Sequence, residues 1–237
     1  MKTTDIEYGV GGVIYRGYLA VDEKRAGKRP GVLLAPAGPG LSDLYRSFAQ
    51  KLAGLGYVAF AMDYHGGGRV LDQDAMWERL TMFQADPLKI REIALAALEV
   101  LKKQPETDTS RLAATGYCFG GTTALELARS GAAIKAAVGF HSGLATARPQ
   151  DAVNIKAKIL VLIGADDPII PPEQRLAFEK EMTAAKVDWR MTLYGGAGHS
   201  FTNPAAGGRE GFAYHEPSDR RSWAAMLDCF NEVFGPV

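Results

Sequence analysis

Arg111-Leu112-Ala113-Ala114-Thr115-Gly116-Tyr117-Cys118-Phe119-Gly120-Gly121-Thr122-Thr123-Ala124-Leu125-Glu126-Leu127-Ala128 is the stretch that decides the fold. Its first five residues are short and apolar enough for a buried strand, and its last seven favour helix. Between them lies Gly-x-Cys-x-Gly, the form of a nucleophile elbow with cysteine in the place usual for serine. A turn that tight has no room for side chains on both sides, so glycines flank the nucleophile. The thiol is thereby held above the sheet, with a helix N-terminus pointing at it. The plain alternative is an inert buried cysteine beside a Gly-rich turn.

Outward from the elbow, strand and helix alternate. Residues 30–36 are a continuous apolar run, as expected for a strand buried on both faces, and end in the loop Ala37-Gly38-Pro39-Gly40. Ser42 caps a helix with Leu44, Phe48, Leu52 and Leu55 at intervals of three and four, and Gly56 closes it before a strand over 57–63. Strand, helix, strand in this length is a parallel crossover. Residues 13–20 alternate weakly and predict an antiparallel strand near the sheet edge. Pro87 opens a helix that stops near Pro105. After the elbow helix come strands over 134–140, 159–163 and 188–194, a helix from Pro171 to about Lys186, and a last helix over about 217–234. Residues 66–86 are the least legible and predict one or two short helices over a pocket. The pattern predicts an α/β fold, one domain over residues 1–237, with a mostly parallel, doubly wound sheet flanked by helices.

Composition narrows the function. The chain of 237 residues is 47% hydrophobic and 23% charged with a net charge of +0 and no basic run, so nothing draws it to nucleic acid or an anionic membrane. No apolar stretch approaches a membrane span, and residues 1–7 lack the apolar core of a signal peptide. Cys118 and Cys229 are not expected to pair, and a cytoplasmic setting is the default. The four histidines share no metal-ligand spacing, so neither metal nor cofactor is expected.

In open α/β sheets chemistry collects beyond the carboxyl ends of the strands. Three such ends carry Cys118, an aspartate and His199 in that order, the nucleophile-acid-base order of the α/β-hydrolase arrangement. His199 would take the thiol proton or pair with the thiolate, and the aspartate would hold the imidazole in one tautomer. Asp166 and Asp167 compete for that role. Asp167 is favoured because it precedes Pro168 beyond the strand end, with Asp166 capping the loop. The backbone N–H groups of Gly38 and Phe119 are the expected oxyanion hole.

The elbow, the turn Gly164-Ala165-Asp166-Asp167-Pro168 and the segment Ala197-Gly198-His199-Ser200-Phe201 together resemble the dienelactone hydrolases, also called carboxymethylenebutenolidases. The resemblance covers most of the chain from about Pro30. It implies a single α/β-hydrolase fold and a Cys118-Asp167-His199 triad that hydrolyses an ester or lactone without a metal. Two departures stand out. The namesake enzymes carry a glutamate where this chain has Ala37, and an arginine that holds the substrate carboxylate where it has Asn203. Arg79 and Arg209 are the candidates to replace that arginine, surface positions being the plain alternative. A substrate other than the dienelactone is therefore expected.

Tyr117, His141, Trp77 and Arg79 are the candidate substrate-binding residues. His65-Gly66-Gly67-Gly68 imitates a lipase oxyanion motif but lies one strand too late, and reads as a pocket rim. The expected partner is a small ester or lactone, and the chain a monomer or homodimer. The competing reading is a redox-responsive or ligand-binding protein on a hydrolase scaffold. A serine hydrolase using Ser142 or Ser200 lacks an elbow.

Overall fold

Eight strand-forming runs, most of them bounded by Gly or Pro, line up into one sheet in the computed structural model, which describes residues 1–236. In chain order the strands are β1 (Lys2–Val10), β2 (Val13–Val21), β3 (Arg29–Ala35), β4 (Val58–Ala61), β5 (Thr107–Tyr117), β6 (Ala136–Phe140), β7 (Lys158–Gly164) and β8 (Trp189–Tyr194). The helices are α1 (Asp43–Gly54), α2 (Gln73–Ala85), α3 (Pro87–Lys102), α4 (Phe119–Arg129), α5 (Pro172–Ala184) and α6 (Glu216–Phe234). The spatial order is β1-β2-β4-β3-β5-β6-β7-β8. From β4 to β8 every pairing is parallel, whereas β2 joins β4 antiparallel and β1 closes a hairpin on β2. This is the mostly parallel α/β sheet that the alternation predicts.

Period-two alternation splits the core into two layers. On β3, Leu33 and Ala35 face the layer with α3 and α4, while Val32 and Leu34 face the layer with α1 and α6. On β7, Ile159, Val161 and Ile163 go one way and Leu160 and Leu162 the other. Both faces are covered, so these strands read as unbroken apolar runs.

Two elements differ from the sequence expectation, and a third is defined more closely by the structure. β1 was not expected at all. It pairs along its whole length with β2 through Gly11 and Gly12, both at positive φ; most of its side chains stay exposed, and only Ile6, Tyr8 and Val10 alternate toward the core. β5 starts at Thr107, with a register shift against β3 between Pro30 and Gly31. The illegible stretch holds one continuous helix, α2, N-capped by Asp72, whose carboxylate accepts the Ala75 N–H at 2.9 Å. No helix among the described residues is long and apolar enough to cross a membrane.

Candidate active site

β5 ends at Tyr117 and α4 begins at Phe119, which leaves Cys118 alone to make the turn. It does so at φ +53° and ψ −120°, a conformation that costs an L-residue about 1–3 kcal/mol. The flanking glycines permit the sharp approach. A Cβ on Gly116 would lie 2.1 Å from the Gly120 carbonyl oxygen, and one on Gly120 would lie 2.1 Å from that of Ala35. The Cys118 N–H donates to the Phe140 carbonyl at 2.9 Å, which ties the elbow to β6.

His199 arrives from the loop after β8 and Asp167 from the loop after β7. Asp167 Oδ2 accepts from His199 Nδ1 at 2.8 Å, and Oδ1 accepts the Ile169 N–H at 2.9 Å. Burial separates the two aspartates: Asp167 is 4% exposed, while Asp166 faces solvent. With Nδ1–H committed to the carboxylate, His199 Nε2 is left buried and without a hydrogen-bond partner. Burial by itself would lower the His199 pKa. The bond to Asp167 and the attraction of Cys118 outweigh it and raise the value to about 9. For Cys118 the opposite holds: burial pushes the thiol up, but His199 and the N–H groups of Gly38 and Phe119 outweigh it and bring it below its ordinary value. The two shifts together favour a thiolate beside an imidazolium.

Cys118 and His199 open onto a cavity of about 530 Å³. Its apolar walls include Leu44, Tyr45, Met76, Leu80, Ile169 and Phe212, with Ser200, Asn203 and Arg209 as polar groups near His199. Ala37 and Gly38 form the wall opposite, and a Cβ at Gly38 would meet Met76 Sδ at 2.8 Å. Bare backbone at this position is what allows α2 to lie over the loop.

Of the four side chains expected to bind substrate, only Trp77 lines this cavity. Tyr117 is buried on the α1 and α6 side and stacks on Phe140, with ring centroids 4.6 Å apart. His141 lies behind His199 rather than in front of it, its ring 5.1 Å away and its Nε2 2.9 Å from Thr202 Oγ1. Burial, and then the charge of His199, push His141 well below its ordinary pKa, so it stays neutral. Arg79 turns to the far side of α2, over the Phe83 ring at 4.8 Å. Arg209 does reach the cavity mouth, with its guanidinium 4.1 Å above Phe212.

His65 is not a loose rim residue. It is buried, with Nε2 2.8 Å from the Gly38 carbonyl oxygen. Tyr45 and Phe212 were not singled out from the sequence, and Met76 entered it only as part of the stretch expected to cover a pocket. Tyr45 had a usable signal, because it stands in the first turn of α1, directly after the Gly38 loop, and helical side chains lean toward the N-terminus. Burial, and then the Cys118 charge, push its phenol far up, so the hydroxyl remains a donor at the cavity wall. Phe212 carried no such signal.

The model of the dienelactone hydrolase family matches residues 15–234. A solved structure named m3DLH is 47% identical, with a TM-score of 0.95 and 98% of each chain covered. A dienelactone hydrolase-like promiscuous phosphotriesterase from metagenomic libraries is 41% identical, with a TM-score of 0.94 and 99% of each chain covered. A Bradyrhizobium protein described as a "Probable 2-oxo-3-(5-oxofuran-2-ylidene)propanoate lactonase" is 30% identical, over 83% of this chain and 82% of its own.

Proposed function

The chain belongs to the dienelactone hydrolase family, and from that premise we propose that it cleaves small esters or lactones by a Cys118-His199-Asp167 triad through a thioester. The carrying observation is the Asp167–His199 hydrogen bond, which leaves a buried, unpartnered Nε2 next to a cysteine at the elbow.

The chemistry follows from the geometry. The Cys118 thiolate adds to the substrate carbonyl, and the π electrons move onto oxygen, facing the N–H groups of Gly38 and Phe119. As the tetrahedral species collapses, the C–O bond breaks and His199 Nε2–H protonates the leaving alkoxide. The acyl group is then held on sulfur as a thioester. Neutral His199 takes a proton from water, the hydroxide adds to the thioester, and the thiolate leaves, which restores the charged pair and releases the acid. Asp167 holds Nδ1–H throughout, so that Nε2 always faces the reacting atoms. A lactone differs only in that its leaving alkoxide stays attached to the acyl group.

Cys118→Ala tests the reading directly. Turnover of an aryl ester is expected to fall to background, and a slow ester is expected to add its acyl mass to Cys118 in the parent. Unchanged turnover in the variant would end the proposal. The similarity to a promiscuous phosphotriesterase argues for including phosphotriesters in the same panel, since an oxyanion hole also serves a phosphoryl oxygen.

A further inference from the structure

The Gly38 loop has no side chain of its own to hold it, yet its N–H must face the nucleophile within a few tenths of an ångström to matter. Three consecutive carbonyls of this loop are instead gripped from below. The Tyr64 hydroxyl donates to the Ala37 oxygen at 2.6 Å and lies 3.2 Å from that of Pro36. The Gly40 N–H also donates to the Ala37 oxygen, at 2.8 Å. His65 Nε2 lies 2.8 Å from the Gly38 oxygen. A carbonyl can only accept, so Nε2 carries the proton.

Peptide geometry converts this grip into aim. A trans peptide carries its C=O and its N–H on opposite sides, so holding the Ala37 carbonyl toward Tyr64 turns the Gly38 N–H the other way, toward Cys118. The next peptide leads into Pro39 and has no N–H, so the Gly38 carbonyl is its only polar handle, and His65 takes it.

The gripping residues are themselves fixed. Asp63 Oδ1 accepts the N–H of His65 at 2.8 Å and of Gly66 at 3.1 Å, and Oδ2 those of Gly68 at 2.8 Å and Arg16 at 3.0 Å. The Tyr64 ring is fully buried and packs edge-on against Phe83 and Phe119, the second of which supplies the other expected oxyanion donor. Both donors thus share one packed support.

We propose that Tyr64 and His65 are positioning residues that aim the Gly38 N–H into the oxyanion hole, an inference that rests on the Cys118 reading above. The glycine-rich run after His65 follows from this role: Gly66, Gly67 and Gly68 all have positive φ, so the chain can fold back over Asp63 and hold His65 in place.

The test compares Tyr64→Phe, His65→Leu and His65→Gln with the parent, each checked for folding by thermal unfolding. Two readouts are taken: kcat and KM on an aryl ester, and affinity for a small aldehyde. In the aldehyde adduct the Cys118 sulfur bonds to the carbonyl carbon and the carbonyl oxygen enters the hole, taking its proton from His199. Deleting a donor outright costs about a hundred- to a thousandfold in kcat, so its misalignment in Tyr64→Phe and His65→Leu is expected to cost about ten- to a hundredfold. KM should stay within about threefold, and aldehyde affinity should fall in parallel with kcat. Gln presents an amide N–H where His presents Nε2–H, so His65→Gln should recover most of the loss seen in His65→Leu. The proposal is overturned if the folded Tyr64→Phe and His65→Leu variants keep both readouts within about twofold of the parent, if the loss falls on KM alone, or if His65→Gln is no better than His65→Leu. Those results leave the triad reading standing. A Cys118→Ala variant that keeps turnover overturns both together.

Discussion

At Cys118 and His199 the same burial acts on two groups in opposite directions, and hydrogen bonding reverses it in both. That reversal sets the pH profile. In the proposed mechanism acylation needs the thiolate and the imidazolium together, so activity should rise with pH through the lowered thiol pKa and fall as His199 loses its proton near pH 9. Both limbs belong to the coupled pair. Asp167→Asn removes the anion that stabilises the imidazolium. The His199 pKa then drops, the alkaline limb moves to lower pH, and kcat should fall by about a hundred- to ten-thousandfold. A pH–rate profile of kcat for parent and variant checks both; an alkaline limb that stays put would exclude Asp167 as the group that holds His199. These three positions were legible as a candidate triad because residue types able to act as nucleophile, acid and base stand in order at strand ends. That Asp167 rather than Asp166 meets His199 agrees with the cue of the adjacent Pro168. Tyr45 and His65 were harder, because a tyrosine at the start of a helix and a histidine before glycines have many ordinary uses.

α2 shows why one element resisted reading. Leu80 and Phe83 are buried, while Met76 and Trp77 turn toward the cavity, so its apolar residues serve two surfaces and give no single stripe. Trp77, 40% exposed, faces the cavity rather than the core. Trp77→Ala should therefore remove about 1–2 kcal/mol of apolar contact, and raise KM for a bulky aryl ester by about five- to thirtyfold with kcat kept. Steady-state kinetics decide; a loss in kcat with KM unchanged would mean that α2 acts on the hole and not on the substrate. β1 resisted for the converse reason. Its apolar alternation is confined to Ile6, Tyr8 and Val10, and pairing with β2 along its whole length makes the rest of it a strand.

Across the whole molecule, the layer behind the elbow is joined by buried charge as well as by apolar packing. Arg129, fully buried at the end of α4, meets Glu126 at 2.9 Å and Glu181 of α5 at 2.7 Å. Arg91 of α3 meets the same Glu126 at 2.7 Å and Asp151 at 2.5 Å. Three segments, α3, α5 and the turn at Asp151, are thereby pinned around α4, the helix that follows Cys118. Removing Arg129 leaves Glu181 unpaired in a dry interior and Glu126 with Arg91 alone, so Arg129→Ala should lower unfolding stability by about 3–5 kcal/mol. Denaturant unfolding measures this; a change below about 1 kcal/mol would mean that water reaches the carboxylates. Nothing local announces such a network, since an arginine in the last turn of a helix is ordinarily a solvated, dipole-complementing group.

By itself the sequence determined the alternation of buried strands and helices, the elbow, and the three residues whose order along the chain makes them a candidate triad. Those properties are local: period, turn chemistry and residue type act over a few neighbours. Only the tertiary structure decided that Trp77 lines the cavity while Tyr117, His141 and Arg79 do not. It also decided that Tyr64 and His65 hold the Gly38 loop, and that Arg129 is buried. Each of these depends on which face of a residue meets a segment distant in the chain, and that is fixed by packing between layers rather than by the residues on either side.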